Sequence, residues 1–307
     1  MIKKMQKADG RRLGNGLQGF GLKTVLKTVL LGGFLFAQPV AVAQATPSSF
    51  KFVALGDMPY HVTADDARFE SLIGKINLTR PAFSIHVGDI KNGGSPCTDA
   101  VYKKVIRQFQ LFKQPLVYTI GDNEWTDCNR ISAGAYDPIE RLFKVRQLFF
   151  EDWGGVAFGQ QHFPLIQQPI QIENSRWTYQ NVTFATLHIV GSNNGLTNQP
   201  SRMAEFLTRN QANLAWIKET FAAAKANHSA AVVWAFQANL WLFKPFFLTE
   251  TGFKYTLRTL AAEAEAFGKP ILLIHGDTHT LKIDQPLTKA GTYELLGQYS
   301  PVLPHVT

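Results

Sequence analysis

Three short apolar segments in the first half of the sequence end in the same dipeptide, Gly-Asp. The pairs are Gly56-Asp57, Gly88-Asp89 and Gly121-Asp122, and a later apolar segment ends in His275-Gly276-Asp277-Thr278-His279. Short apolar runs that stop at glycine are typical of buried strands. Ligands of open α/β sheets bind beyond the carboxyl ends of the strands. The repeated ending therefore predicts that four carboxylates converge at one edge of a sheet.

Carboxylates that meet at such an edge repel one another and lose solvation, and a divalent cation is the usual compensation. Glycine before each aspartate lets the backbone turn tightly and approach a ligand. A single Gly-Asp pair is weak evidence, because aspartate is common in turns. Four pairs in series, each closing an apolar run, favour a metal site over unrelated turns.

Strand-like and helix-like segments alternate along the chain, which predicts an α/β fold with helices packed on parallel or mixed sheets. Strands before and after the longest helix suggest two sheets, and a hairpin turning at Gln180-Asn181 adds antiparallel pairing. Residues 154–175 are predicted as loop. The helices are predicted at 64–77, 99–112, 139–150 and 203–226, and the main strands at 52–55, 83–87, 116–120, 230–236 and 271–275.

Residues 1–45 have the pattern of a secretory signal. Seven basic residues precede an apolar run at 28–37, and the segment ends in Ala43-Gln44-Ala45, a small-x-small cleavage pattern. The run is shorter than the roughly 20 residues of a membrane span, although an uncleaved anchor is the alternative. We therefore expect an exported protein, periplasmic or secreted, with a mature domain at 46–307 and no membrane association after cleavage.

The net charge of +8 belongs mainly to this leader. Seven of the 31 Lys and Arg residues lie in it, but only one of the 23 acidic residues, so the rest of the chain holds 24 basic and 22 acidic residues. A net charge of +2 gives no basis for a nucleic-acid partner. The two cysteines, Cys97 and Cys128, favour a disulfide in an exported protein. Two free thiols are the alternative, and a thiolate metal site has too few cysteines.

The series of strand-end motifs resembles the calcineurin-like metallophosphoesterases, a superfamily that includes the purple acid phosphatases. The resemblance covers residues 50–296. It implies a two-sheet αββα sandwich, and it implies two metals that share one carboxylate and activate a water for in-line attack on phosphorus.

Six residues match positions at which that superfamily holds its metals. Asp57 matches the aspartate of the first metal, Asp89 the bridging aspartate, and His279 the second histidine of Gly-His-x-His. Asp122 stands at the asparagine ligand, Gln237 at the lone histidine, and Asp277 at the first histidine of Gly-His-x-His. The resemblance thus implies a metal site rich in oxygen donors. Such a site suits Mn²⁺ or Mg²⁺, with Ca²⁺ possible, better than Zn²⁺ or iron.

Several residues depart from the family pattern. Pro59 follows Asp57 where many members have a ligand histidine, and Asn92 stands where purple acid phosphatases have a tyrosine ligand. Asn123 replaces the histidine that helps to protonate the leaving group, and an amide cannot act as a general acid. We nevertheless predict that Asn123 and Asp89 are the catalytic residues.

Other polar residues near the motifs are candidates for substrate binding: His61, Asn92, Glu124 and Asn194. His86, His188, Trp216 and Trp234 lie within apolar segments and are interpreted as core residues. The sequence thus predicts an exported metal-dependent phosphoesterase that hydrolyses phosphate mono- or diesters of a small substrate. The alternative is a binding protein of the same fold with weakened or lost catalysis, and a phosphate-transport component is the least favoured reading.

Overall fold

The computed structural model describes residues 49–154, 157–241, 251–287 and 305–307. The predicted leader at 1–45 lies outside these residues, so the leader and its cleavage remain predictions. Among the helices in the described ranges, none combines the length and the hydropathy needed to cross a membrane.

The first sheet contains three parallel strands in the order β1-β2-β3: Val53–Leu55, Ser84–His86 and Leu116–Tyr118. Two helices make the crossovers, α1 at Asp66–Thr79 and α2 at Asp99–Phe109. The side chain of Thr98 caps α2 by accepting a hydrogen bond from the Val101 amide. Each parallel crossover returns the chain to the same sheet edge, so all three strands end on one side.

The second sheet has five strands in the order β4-β5-β6-β7-β8. They span Ile166–Gln167, Ser175–Tyr179, Val182–Thr186, Ala231–Ala235 and Ile271–Ile274. The first three pair antiparallel, and β6, β7 and β8 are parallel. The β5–β6 hairpin turns at Gln180 and Asn181, which both have positive φ, at 43° and 64°, as short hairpin loops of this kind require.

In the described part of the chain, four further α-helical segments connect or cover these sheets. They are α3 at Pro138–Arg146, α4 at Gly191–Asn194, α5 at Pro200–Ala226 and α6 at Lys254–Phe267. The side chain of Asp137 caps α3, with Pro138 at its first position. The segment α4 is a single turn whose residues Ser192 and Asn193 have left-handed backbone angles.

The two sheets pack face to face between two helical layers. Ile85 and Val117 of the first sheet, and Phe83 just before β2, lie in one apolar cluster with Phe184 and Val233 of the second sheet. The outer face of the first sheet is covered by α1 and α2, and that of the second by α5 and α6. The predicted α/β class with two sheets and an αββα layering is confirmed.

Details of the sequence prediction differ from the structure. The strands before and after the long helix are β6 and β7, which pair in one sheet, so the two sheets divide instead between β3 and β4. The predicted loop at 154–175 contains the short strand β4. The predicted helix at 139–150 changes to a π-helical turn at Gln147–Glu151.

Candidate metal centre

The carboxyl ends of strands from both sheets bring the predicted metal ligands together. Asp57 and Asp89 follow β1 and β2 of the first sheet, and His279 follows β8 of the second. A carboxylate oxygen of Asp57, one of Asp89 and a ring nitrogen of His279 all lie within 4.8 Å of one another. Among the described residues this is the one group of three or more such side chains with metal-ligand spacing.

Backbone conformation at these motifs is unusual for residues with a side chain. Asp57, Asp89, Asp277 and His279 have φ of 53°, 57°, 73° and 55°. The left-handed region costs a non-glycine residue about 1–2 kcal/mol. Such conformations cluster at ligand-binding and catalytic sites, where surrounding contacts hold them.

Hydrogen bonds link each motif to the next. The Asp57 amide donates to the Gly88 carbonyl at 3.0 Å, and the Asp277 amide donates to Asp57 Oδ1 at 3.2 Å. The Asn123 amide donates to Asp89 Oδ1 at 3.3 Å. A Cβ at Gly276 would lie 2.5 Å from Asp57 Oδ2, so glycine is required there for this close approach.

His86, in β2, forms hydrogen bonds with both of the turns that carry Asp57 and Asp89. Its Nδ1 accepts the Gly88 amide at 3.2 Å, so Nε2 carries the proton that is shared with the Met58 carbonyl at 2.6 Å. Burial lowers the pKa of His86 to about 4. The ring is therefore a neutral core histidine, as predicted, and it holds the turns beside Asp57 and Asp89 in position.

Gln237 lies at the centre of the predicted ligand set but turns its nitrogen to the carboxylates. Its Nε2 donates to Asp89 Oδ2 and to Asp122 Oδ1, both at 3.1 Å. Its Oε1 accepts the Gly191 amide at 2.6 Å. Because a backbone amide can only donate, this contact fixes which end of the Gln237 amide faces the site. In this arrangement Gln237 offers no oxygen to a metal, in contrast to the prediction.

The carboxylates of Asp122 and Asp277 accept hydrogen bonds from neighbouring groups. Asp122 Oδ2 accepts the Ser192 hydroxyl at 2.8 Å, and that hydroxyl oxygen also lies 3.2 Å from Asp127 Oδ1. Asp277 Oδ2 accepts the Asn239 amide at 3.3 Å. Both carboxylates lie beside Gly191, but they are outside the group formed by Asp57, Asp89 and His279.

The site concentrates negative charge out of water. Burial, and then the charges of Asp122, Glu124 and Asp57, raise the pKa of Asp89 well above its ordinary value. Burial likewise raises the pKa values of Asp57, Asp122 and Asp277. A nearby cation would reverse these shifts, because it favours the ionised forms.

Two of the predicted substrate-binding residues are buried in other interactions. Glu124 is fully buried, and its Oε1 accepts the Tyr118 hydroxyl at 2.8 Å. Asn194 is also fully buried, and it accepts from Arg209 and donates to the Gly252 carbonyl at 3.1 Å. Neither side chain is accessible to a substrate in this structure, because each is needed to satisfy the polar atoms of its neighbours.

The other two candidates, His61 and Asn92, lie in the loops beside the site. His61 is exposed, and its Nδ1 lies 3.2 Å from Asn92 Nδ2. Asn92 also donates to the Tyr60 carbonyl at 3.2 Å, and its Oδ1 accepts the Gly94 amide at 2.8 Å. Asn92 therefore ties two loops together, while His61 stays open to solvent.

Sequence reasoning missed residues at the rim, above all Tyr60. Its ring meets His279 edge-on at a centroid distance of 4.5 Å. Its hydroxyl interacts with the Asn123 side chain, and partial burial, then Asp89, raises the pKa of Tyr60. The buried Lys91, whose pKa burial lowers to about 8, and Ser192 were also missed. The sequence did carry a signal for Tyr60 and Lys91, because each lies two or three positions after the aspartate of a Gly-Asp motif.

The disulfide between Cys97 and Cys128 is present, with the two Cα atoms 5.8 Å apart. It joins the loop that follows Asp89 to the 3₁₀ turn at Thr126–Asn129 that follows Asp122. The predicted disulfide is confirmed, and it links loops that follow neighbouring strands of the first sheet.

No protein-family model and no curated protein matches this sequence. Among solved structures, the chain is similar to a dimetal phosphatase from Danio rerio, with a TM-score of 0.43 and 11% sequence identity. The match covers 75% of this chain and 82% of that one.

Proposed function

We propose that this protein is an exported metal-dependent phosphoesterase. The observation that carries the proposal is the group of Asp57, Asp89 and His279, whose ligand atoms lie within 4.8 Å of one another. The His279 side chain is 43% exposed, so the group is open to a substrate on one side. Two carboxylates and one imidazole with an open side suit a divalent cation that acts in catalysis.

The chemistry of the donors fits such a cation. Asp89 is 2% exposed and has three carboxylate neighbours, Asp57, Asp122 and Glu124, and a buried anion needs a compensating charge. The ammonium of the buried Lys91 interacts electrostatically with Asp89, but it donates its hydrogen bond to the Asn92 carbonyl, at 3.2 Å. Mn²⁺ or Mg²⁺ matches this oxygen-rich set best.

When bound, a divalent cation polarises a phosphoryl oxygen and lowers the pKa of a water. The protein's own residues then orient the ester. The Tyr60 hydroxyl is protonated at neutral pH, because even the ordinary tyrosine pKa of 10.0 lies well above neutrality and burial raises it further. It can therefore donate a hydrogen bond to a phosphoryl oxygen at the rim. Asn123 can hold Tyr60 or the substrate through its amide, but it has no proton to give a leaving group.

The substrate class that suits this site is a small phosphate monoester or diester. Export is supported by the leader pattern at 1–45 and by the disulfide between Cys97 and Cys128, because disulfides persist in oxidising compartments. We therefore propose a periplasmic or secreted location.

A second candidate is a binding protein of this fold with weakened or lost catalysis. The specific observations in its favour are Asn123 at the predicted acid position and the Gln237 nitrogen that faces the carboxylates. Hydrolysis separates the two candidates, because both bind metal and phosphate but only the enzyme turns over.

The test is Asp89→Asn. We expect divalent-metal affinity to fall at least 100-fold by calorimetry, and hydrolysis of a chromogenic phosphate ester to fall to background. Asp284→Asn is the matched control, since Asp284 pairs with Lys282 on the surface, and it should leave both unchanged. Metal affinity at the wild-type level in Asp89→Asn would refute the site. Metal binding without hydrolysis in the wild-type protein would select the binding-protein alternative.

A further inference from the structure

Gln237 occupies the space between Asp89 and Asp122. Its Nε2 lies 3.1 Å from Asp89 Oδ2 and 3.1 Å from Asp122 Oδ1. A divalent cation shared by these oxygens would bind each at about 2.0–2.6 Å, which is the space that the NH₂ group fills. An amide NH₂ carries two protons to donate and offers no lone pair to a metal.

The Gln237 amide cannot reverse without loss. Its Oε1 accepts the Gly191 amide at 2.6 Å. A flip would set the NH₂ group against the Gly191 N–H and the oxygen against two carboxylates. Three favourable contacts would become repulsive, and because Gln237 is 0% exposed, no water could compensate.

The other oxygen of Asp122 is engaged as well. Asp122 Oδ2 accepts the Ser192 hydroxyl at 2.8 Å. Both Asp122 oxygens therefore accept hydrogen bonds from neutral groups, one from Gln237 and one from Ser192. Hydrogen bonds to the ionised form stabilise a buried carboxylate in the absence of a metal.

The ligand atoms of Asp57 and His279 lack such a competing contact from Gln237. Asp57 Oδ1 accepts the Asp277 amide and lies 3.1 Å from His279 Nε2, and a neutral imidazole can give that nitrogen to a metal. The two sides of the carboxylate cluster thus differ. On one side, ligand atoms of Asp57, Asp89 and His279 lie within 4.8 Å of one another. On the other side, the Gln237 NH₂ group fills the space between Asp89 and Asp122.

We propose that the site binds one divalent cation, held by Asp57, Asp89 and His279, and that the Gln237 amide takes the place of a second. This inference rests on the proposed metal site, and it departs from the two-metal arrangement that the family resemblance implies. It assigns to Gln237 and Ser192 the stabilisation of Asp122 by hydrogen bonds, in a role that a second cation would otherwise fill.

Metal stoichiometry tests the proposal. Metal-stripped wild-type protein titrated with Mn²⁺ should bind one equivalent by calorimetry, and its electron paramagnetic resonance spectrum should be that of an isolated ion. Gln237→Glu keeps the shape, retains the acceptor for Gly191 and replaces the NH₂ group with a carboxylate oxygen. We expect this variant to bind a second equivalent and to show the spectrum of an exchange-coupled pair. Gln160→Glu, an exposed change of the same kind, should behave as wild type.

Two equivalents with exchange coupling in the wild-type protein would overturn the inference but leave the proposed function standing. A folded Gln237→Glu protein that binds a single ion would overturn the role given to Gln237. If that variant does not fold, the stoichiometry of the wild-type protein still decides whether the site binds one cation or two. Absence of any Mn²⁺ binding in the wild-type protein would instead refute the proposed function on which the inference rests.

Discussion

Glu124 is a buried carboxylate whose two oxygens have different surroundings. Oε1 accepts hydrogen bonds from the Tyr118 hydroxyl and from the amides of Gly121 and Ile90. Oε2 is buried and has no hydrogen-bond partner among the residues that the structure describes. Burial is the main reason that the pKa of Glu124 rises to about 7.

Glu124→Gln should therefore stabilise the metal-free protein in a pH-dependent way. The pKa of Glu124 is higher in the folded protein than the ordinary 4.5, so the wild type loses stability as pH rises from about 4.5 to about 7. The glutamine keeps the acceptor at Oε1 and removes the charge. We expect the variant to match wild type near pH 4.5 and to be more stable by about 3 kcal/mol at pH 8.

Urea unfolding of both proteins across this pH range measures the difference. Glu265→Gln in α6 is the control, because its side chain is exposed and it should show no such pH dependence. A constant difference between Glu124→Gln and wild type from pH 4.5 to pH 8 would contradict the assignment of the shift to Glu124.

Individual site residues were predictable where the local pattern carried the signal. Asp57 and Asp89 each close an apolar run with Gly-Asp, and His279 stands in a matching motif. The orientation of Gln237 was not predictable, because it is set by the Gly191 amide, 46 positions away in the sequence. The burial of Glu124 was hidden in the same way, since it depends on the tertiary packing of its loop.

At the level of elements, the strands of the first sheet were easy to predict, because a Gly-Asp pair follows each of them. The three strands of the first sheet lie within the predicted strands at 52–55, 83–87 and 116–120, and their parallel register pairs Val53 with Ser84 and Ser84 with Leu116. This register brings the following Gly-Asp turns to one edge. Strand β4 has two residues and gives no periodic signal, and its pairing with β5 is decided by the packing of the second sheet.

The disulfide links two of these strand-end loops and should support both stability and metal affinity. Cys97 and Cys128 are 31 positions apart, and a closed loop of that length is worth roughly 3–4 kcal/mol through the entropy of the unfolded chain. We expect the double variant Cys97→Ser, Cys128→Ser to lose stability of this order in urea unfolding. Its Mn²⁺ affinity should fall as well, because the Asp89 loop is less constrained.

Reduction of the wild-type protein provides a matched comparison without a change of sequence. It should reproduce the loss of stability and of Mn²⁺ affinity that the double variant shows. Stability and affinity that both stay at the wild-type level after complete reduction would show that packing alone holds the two loops.

Across the whole molecule, the proposed cation joins the two sheets. Asp57 and Asp89 come from the first sheet and His279 from the second, so a metal bound by all three bridges the carboxyl edges of both. Binding to the folded state alone stabilises a protein by mass action. The αββα layering thus explains why ligands that are more than 200 positions apart in the sequence meet in one site.

The choice of metal and leaving group follows from the charge and donors of this assembled site. Hard ions gain most from carboxylates, whereas Zn²⁺ gains most from imidazole and thiolate, and the proposed ligands include a single imidazole, that of His279. Asn123 cannot protonate a leaving group. We therefore expect metal-stripped protein to regain more activity with Mn²⁺ or Mg²⁺ than with Zn²⁺, and to hydrolyse aryl phosphates at least 10-fold faster than alkyl phosphates.

Reconstitution with each ion, assayed on one aryl and one alkyl ester, measures both preferences. Asn123→His is the informative variant, because an imidazole at that position can supply the missing proton. It should raise the rate on the alkyl ester more than the rate on the aryl ester, since only the poorer leaving group needs protonation. Higher activity with Zn²⁺ would show that softer ligands complete the site. Equal wild-type rates on the two esters would show that another group, with Tyr60 the nearest candidate at the rim, already delivers the proton.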